Sequence, residues 1–176
     1  FPATEYEMVL FLKKFNFNKS VYIRYNHINN KILNKVINKN YKPNSKLIGN
    51  GKNVIISYGV CSEQIFKILY ENASLKNKYK LYNFSLITSI NKTFLLNLSK
   101  KNHNLLVVED HVNKGSLSEK IKILLYENKI RMNLISKNLG NNYFQPKKTL
   151  DELFKNYGIT KKYLENLNFK QWIKSL

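Results

Sequence analysis

The sequence predicts an α/β fold, specifically a three-layer αβα domain with a mainly parallel five-stranded sheet. Short apolar runs rich in β-branched residues alternate with segments of helical periodicity, and Ser or Thr capping boxes mark several helix starts. Strands that alternate with helices across short loops form a parallel sheet covered on both faces. A chain of 176 residues is long enough to bury such a core without disulfides.

The clearest unit is a strand, a polar turn and a helix that follow one another from residue 105 onwards. Residues 105–108 (LLVV) are all apolar, which is typical of a strand buried on both faces. After the turn, Gly115 supplies a flexible hinge, and Ser116 and Glu119 form a capping box. The helix that starts there carries one apolar stripe, made of Leu117, Ile121, Leu124 and Leu125.

Three ionisable residues, Glu109, Asp110 and His111, form the turn of this unit. The carboxyl ends of strands in open α/β sheets are where ligands and partner domains are met. The cluster could therefore serve acid–base chemistry, or it could orient the turn and form a contact. Because the chain shows no further partner for such chemistry, we interpret Glu109, Asp110, His111 and Gly115 as a domain or dimer contact, and we assign no catalytic residue.

The rest of the chain continues the alternation. Residues 26–50 are the exception, because they are rich in Asn and Lys and alternate only weakly, so we predict a long connection or insertion there. The other predicted elements are a helix at 5–14 capped by Thr4 and Glu7, strands at 21–24, 54–58, 80–86 and 131–135, a helix capped by Ser62, a helix at 91–101, a helix from Thr149 to Gly158, and a last helix from Thr160.

The formal charge of +19 raises the question of nucleic-acid binding. However, of the 30 basic residues only Arg24 and Arg131 are arginine, and the lysines are spread along the chain instead of forming one block. We therefore favour a solvated surface over a nucleic-acid site. Such a surface would still raise the local concentration of anionic metabolites.

Several kinds of site lack their sequence signatures. The single cysteine, Cys61, allows no internal disulfide framework and no Cys/His zinc cluster, and we interpret it as a buried structural thiol. There is no dinucleotide-binding glycine motif, P-loop, hydrolase elbow or metal-ligand cluster. No apolar run is long enough to span a bilayer, so we expect no membrane contact. The absence of an initiator methionine is compatible with a targeting segment that precedes Phe1.

Arg24 and His27 follow the predicted strand at 21–24. An arginine at a strand end can form two hydrogen bonds to a phosphate or a carboxylate, and a structural ion pair is equally compatible with this position. His27 could bind a phosphate when its imidazole is protonated, although an unperturbed imidazole is mostly neutral at physiological pH.

Five stretches, in order, resemble the C-terminal region of transketolase-type, thiamine-diphosphate-dependent enzymes. The main one is 107–119 (VVEDHVNKGSLSE), which is similar to the family's "VEDH/VEEH…GGxG" segment. The others are 1–5 with 21–25 (FPATE, VYIRY), 51–59 (GKNVIISYG), 153–160 (LFKNYGIT) and 169–176 (FKQWIKSL), the last resembling the tail of 1-deoxy-D-xylulose-5-phosphate synthase. The resemblance covers nearly the whole chain.

The resemblance implies that residues 1–25 are the end of a preceding pyrimidine-binding domain with its linker, and that 51–176 are the transketolase C-terminal-type α/β domain. The thiamine diphosphate and its divalent metal (Mg) would be bound by upstream domains of the same enzyme. This fragment alone would be inactive, and it would support a homodimer and shape the entrance for a sugar-phosphate substrate. The compartment would be the cytoplasm, or a plastid-type organelle for a synthase of isoprenoid biosynthesis.

Two departures from the family pattern affect this interpretation. The family's second arginine, which contacts the substrate phosphate beside the residue matched by Arg24, is replaced by His27, and the second and third glycines of the turn are replaced by Ser116 and Ser118. Phosphate binding through His27 would be weaker and more dependent on pH. Two alternatives stay open: the C-terminal part of a 2-oxo-acid dehydrogenase β subunit, and a non-catalytic basic module that binds nucleic acid.

Overall fold

A five-stranded sheet forms the centre of the protein. It is seen in a computed structural model that describes residues 1–16, 18, 20–25, 30–39, 42, 44–101, 104–138, 152, 154–155 and 158–169. The strand order is β1-β3-β2-β4-β5. Strand β1 is antiparallel to β3, and the other neighbours are parallel, so the predicted mainly parallel five-stranded sheet is confirmed. The strands are β1 (Ser45–Ile48), β2 (Asn53–Ser57), β3 (Tyr79–Asn83), β4 (Asn104–Val108) and β5 (Leu134–Lys137).

Helices cover both faces of the sheet. Alternate residues of a strand point to opposite faces, so Ile55 and Leu106 join one core cluster while Val54 and Leu105 join the other. Helices α1–α4 and α7 contribute to the first cluster, and α5 and α6 contribute to the second. The helices are α1 (Glu5–Lys14), α2 (Lys31–Lys39), α3 (Gly59–Glu71), α4 (Ala73–Lys78), α5 (Lys92–Lys100), α6 (Leu117–Glu127) and α7 (Lys161–Asn166).

The five strands are not the five that the sequence predicts. Residues 21–24, predicted as a strand, pair with no strand of the sheet. The fifth strand is β1, which lies within the segment predicted as a connection and pairs with β3 at the edge. Leu33 and Ile37 of α2 and Leu47 of β1 are buried, so this Asn- and Lys-rich segment supplies part of the core.

Local capping explains where three helices begin. The Thr4 hydroxyl accepts from the backbone N–H of Glu7 at 3.1 Å, and the Ser116 hydroxyl accepts from that of Glu119 at 3.0 Å. In both boxes the glutamate carboxylate reaches the N–H one residue before the cap, at Ala3 or Gly115. The hydroxyl hydrogen bond of both predicted capping boxes is therefore confirmed. The glutamate hydrogen bond differs, because a capping box would place it at the N–H of the cap residue itself. Thr160 also caps α7, whereas the box predicted at Thr149 lies outside the described residues.

The connections create a crevice between two strands. Helix α3 carries the chain from β2 to β3 on one face, and α5 carries it back past β2 to β4 on the other. The carboxyl ends of β2 and β4 therefore flank the point where the direction of the connections reverses, which is the usual ligand position in open α/β sheets. Within the described part of the chain, no helix is both long enough and apolar enough to cross a membrane.

Candidate functional site at the carboxyl edge of the sheet

Glu109 lies directly after β4 and is only 1% exposed. Its carboxylate accepts hydrogen bonds from the backbone N–H groups of Leu117 (2.8 Å) and Ser118 (3.0 Å), and from the hydroxyl of Tyr58 (3.3 Å). These two N–H groups belong to the first turn of α6, where an α-helix leaves donors unsatisfied and favours negative charge. The buried carboxylate thus fixes the start of α6 to the end of β4. Its predicted contact with another domain stays a prediction.

Arg24 and Asp110 form an ion pair across 86 residues of sequence. The guanidinium Nη2 lies 2.8 Å from Oδ2 of Asp110, and Nη1 lies 3.4 Å from the backbone oxygen of Asp110. Burial raises the pKa of Asp110, and the positive charge of Arg24 opposes that rise. The structural ion pair considered for Arg24 is therefore present. The side chain of Arg24 is 37% exposed, and its role in phosphate binding stays a prediction.

His111 and Gly115 complete the turn. Nδ1 of His111 lies 3.0 Å from the carbonyl oxygen of Val112. Because a carbonyl oxygen only accepts, this nitrogen carries the proton, and in the neutral ring Nε2 is left as an acceptor. Gly115 adopts a φ of +75°, a conformation that glycine takes without steric cost, and its N–H donates to Glu119 at 2.6 Å.

The structure brings together only some of the predicted site residues. Arg24, Glu109, Asp110, His111 and Gly115 all lie at the carboxyl edge of the sheet. His27 lies outside the described residues, so the pairing of Arg24 with His27 around a phosphate stays a prediction.

A cavity of about 520 Å³ lies beside the turn. Its described walls come from residues 1–2, 11, 15 and 20–23, and from the segments that follow β2, β3 and β4. Phe11, Phe15 and Tyr22 contribute from the N-terminal side, while Leu86 and Leu117 contribute from the sheet side. No local sequence pattern marks this cavity, because its walls are distant in sequence and each resembles ordinary core.

Two groups near the turn are buried and held in their neutral forms. Cys61 is fully buried at the start of α3, and burial, reinforced by the charges of Asp110 and Glu109, raises the pKa of its thiol. The thiol is therefore not activated as a nucleophile, as expected for a structural cysteine. Burial and the neighbouring Glu109 also raise the pKa of Tyr58.

Two buried carboxylates, those of Glu7 and Glu109, were considered as metal ligands. Among the described residues, no group of three or more His, Cys, Asp or Glu side chains could hold a metal ion. The buried carboxylate of Glu109 binds the start of α6, and that of Glu7 accepts from Ala3 and from the side-chain amide of Asn83. Both carboxylates are therefore engaged in contacts within the chain.

No family model matches the sequence, and no curated protein matches it. Among solved structures, one similar chain belongs to a split-gene transketolase described as an inactive β4 tetramer. It has a TM-score of 0.56 and 17% identity, with coverage of 70% of this chain and 41% of that chain. A transketolase mutant from Pichia stipitis has a TM-score of 0.45 and 16% identity, with coverage of 69% and 16% respectively.

The first of these likenesses defines the class of fold. This chain is an α/β protein with a transketolase-like fold. It spans less than half the length of the split-gene transketolase chain and about a sixth of the Pichia stipitis chain.

Proposed function

We propose that this chain is the C-terminal domain of a transketolase-type, thiamine-diphosphate-dependent enzyme that acts on sugar phosphates. The observation that carries the proposal is the fold likeness to the split-gene transketolase chain, with a TM-score of 0.56 over 70% of this chain. The VVEDHVNKGSLSE segment supports it, since these residues form the end of β4, the turn and the start of α6.

The contacts of the turn suggest what the domain does in such an enzyme. The Arg24–Asp110 ion pair fastens residues 20–25, the proposed end of the preceding domain, to the turn after β4. Glu109 in turn fixes this turn to α6. The proposed role is therefore positional: the domain holds the end of its neighbour in place, shapes the substrate entrance and supports a homodimer.

Cofactor binding is assigned to other domains under this proposal, because the carboxylates of Glu7 and Glu109 are already bound within this chain. Thiamine diphosphate, when bound there with its Mg²⁺, supplies a carbanion nucleophile for the transfer. Within this class we place the chain with transketolase or 1-deoxy-D-xylulose-5-phosphate synthase, located in the cytoplasm or a plastid-type organelle respectively. The runner-up is the β subunit of a 2-oxo-acid dehydrogenase.

The test compares the isolated chain with a longer protein in which it is joined to thiamine-diphosphate-binding domains. We expect no turnover from the isolated chain and thiamine-dependent turnover from the longer protein. Ketose phosphate donors would indicate transketolase, and pyruvate with a sugar-phosphate acceptor would indicate the synthase. Turnover of a 2-oxo acid with a lipoyl acceptor would move the assignment to the dehydrogenase. A longer protein that binds thiamine diphosphate but is inert towards all these donors would contradict the proposal.

A further inference from the structure

Three lysines, Lys46, Lys80 and Lys101, come together on one face of the sheet. In the antiparallel pairing of β1 with β3, Lys46 lies opposite Tyr82, and Lys80 precedes Tyr82 by two residues. Residues that pair directly share a face, and so do residues two apart on one strand, so the side chains of Lys46 and Lys80 leave the sheet on the same side. Diagonal neighbours of this kind are about 7–8 Å apart, which is close enough for two long side chains to meet one small anion.

Helix α5 brings Lys101 to the same face. The helix packs on the sheet through Phe94, whose ring meets that of Tyr82 edge-on with centroids 5.4 Å apart. Because β3 and β4 both run parallel to β2 and α5 lies between them in the chain, the helix runs from the carboxyl ends of the strands back to their amino ends. Lys101 is the C-cap of α5 and therefore lies towards the start of β3, beside Lys80. These three residues are called the lysine cluster.

No carboxylate belongs to the three elements that carry the lysine cluster. All 11 acidic residues of the chain lie outside residues 8–62 and 72–108, and these two ranges include β1, β3 and α5. The cluster therefore concentrates positive charge instead of alternating it with negative charge. The effect reaches Lys80, because partial burial and the charges of Lys101 and Lys46 lower the pKa of its ammonium group. A bound anion would offset this repulsion between like charges.

We propose that the lysine cluster binds a small anion that carries several linked phosphate groups. Each lysine ammonium is a compact positive charge with three N–H donors on a flexible stem, so three of them can surround a short chain of phosphates. A single phosphate group carries only about −1.5 to −2 charges at pH 7, which is less than the three positive charges of the cluster. The site is independent of the proposed thiamine chemistry, because neither Arg24 nor the turn after β4 takes part in it.

The first test measures binding of tripolyphosphate to the whole chain by isothermal titration calorimetry. The titration is done at about 0.15 M salt, where exposed charges more than about 8 Å apart are largely screened. This salt weakens the diffuse attraction of a chain whose formal charge is +19. We expect saturable binding of one tripolyphosphate per chain, and inorganic phosphate should bind at least about tenfold more weakly. Absence of saturable binding, or equal affinity for inorganic phosphate, would overturn the proposal.

Substitutions that remove equal charge locate the site. Lys46 and Lys101 are exposed members of the cluster, and Lys122 is an exposed lysine of α6 outside it. Lys46→Gln and Lys101→Gln should each weaken tripolyphosphate binding about fivefold, whereas Lys122→Gln, with the same net charge, should leave it unchanged. All three positions are exposed, so each variant should fold, which circular dichroism checks. Equal affinity in the three variants would place the anion elsewhere and overturn the proposal.

Lys80 gives a second readout that needs no substitution. NMR titration follows the pKa of its ammonium group in the free chain and in the chain saturated with tripolyphosphate. The negative charge of the bound anion favours the protonated lysine, so the pKa of Lys80 should rise on binding. The same rise is expected in Lys122→Gln. A pKa of Lys80 that stays unchanged at saturation would overturn the proposal.

Discussion

The two edges of the sheet are built from different chemistry. At the amino edge, the side-chain amides of Asn53, Asn104 and Asn133 form a ladder, with hydrogen bonds of 2.8 Å and 2.9 Å across β2, β4 and the start of β5. At the carboxyl edge, the corresponding positions hold a buried carboxylate, Glu109, and the Arg24–Asp110 ion pair beside the cavity.

The amino edge therefore contributes mainly to the stability of the fold, whereas the carboxyl edge has space for a ligand. A neutral amide ladder satisfies its own donors and acceptors, and it pins the register of neighbouring strands. The carboxyl edge instead concentrates charge and open volume where the strand connections diverge. We therefore expect substitutions at the amino edge to act on stability, and substitutions at the carboxyl edge to act on stability and binding together.

The largest expected effect is a loss of unfolding free energy when a glycine at the amino edge is replaced, compared with a glycine at the carboxyl edge. A Cβ at Gly51 would lie 2.0 Å from the carbonyl carbon of Lys78, whereas a Cβ at Gly115 meets no atom within 4 Å. Gly51→Ala should therefore cost about 3 kcal/mol or more of unfolding free energy, because backbone must move. Gly115→Ala should cost about 1–2 kcal/mol, from its positive φ alone. Urea unfolding measures both, and equal losses would show that the amino edge is not tightly closed.

A smaller effect is expected when the cap of α6 is removed. Glu109→Ala leaves the N–H groups of Leu117 and Ser118 without an acceptor, so we expect a loss of about 2–3 kcal/mol. Glu109→Gln keeps one side-chain oxygen and should lose roughly half as much. The measurement is chemical denaturation of both variants, with hydrogen exchange of the Leu117 and Ser118 amides. Unchanged protection of these amides in Glu109→Ala would contradict the assigned role.

The smallest expected effect concerns the Arg24–Asp110 pair and its dependence on pH. The folded-state pKa of Asp110 is raised, so its contribution to stability is fully present below the ordinary carboxyl pKa and is lost as pH rises through the folded value. Arg24→Gln removes the charge that opposes the rise, so the pKa of Asp110 should increase further. Because Arg24 is 37% exposed, the cost near neutral pH should be about 1 kcal/mol or less.

This prediction is checked by NMR titration of the Asp110 carboxyl group and by unfolding curves at several pH values. Arg24→Lys is the matched control, because it keeps the positive charge and should leave the pKa of Asp110 close to that of the unsubstituted chain. A pKa of Asp110 that falls in Arg24→Gln would show that another cation governs this carboxylate.

Features that depend on neighbouring residues follow from the amino-acid sequence alone. The apolar runs of β2 and β4 and the hydroxyl caps at Thr4 and Ser116 are local, so periodicity and capping chemistry predict them. The fold class followed, because strands and helices in alternation leave few ways to cover a sheet.

Features that depend on distant partners appear only in the folded chain. Residues 21–24 have the composition of a strand but pair with none, while β1, with its weaker pattern, takes the edge because β3 offers it unpaired backbone groups. The Arg24–Asp110 contact joins positions 86 residues apart, and the cavity forms only when the N-terminal segment closes over the strand ends. Local sequence does not encode such pairings, because their free energy comes from the packed arrangement of the whole chain.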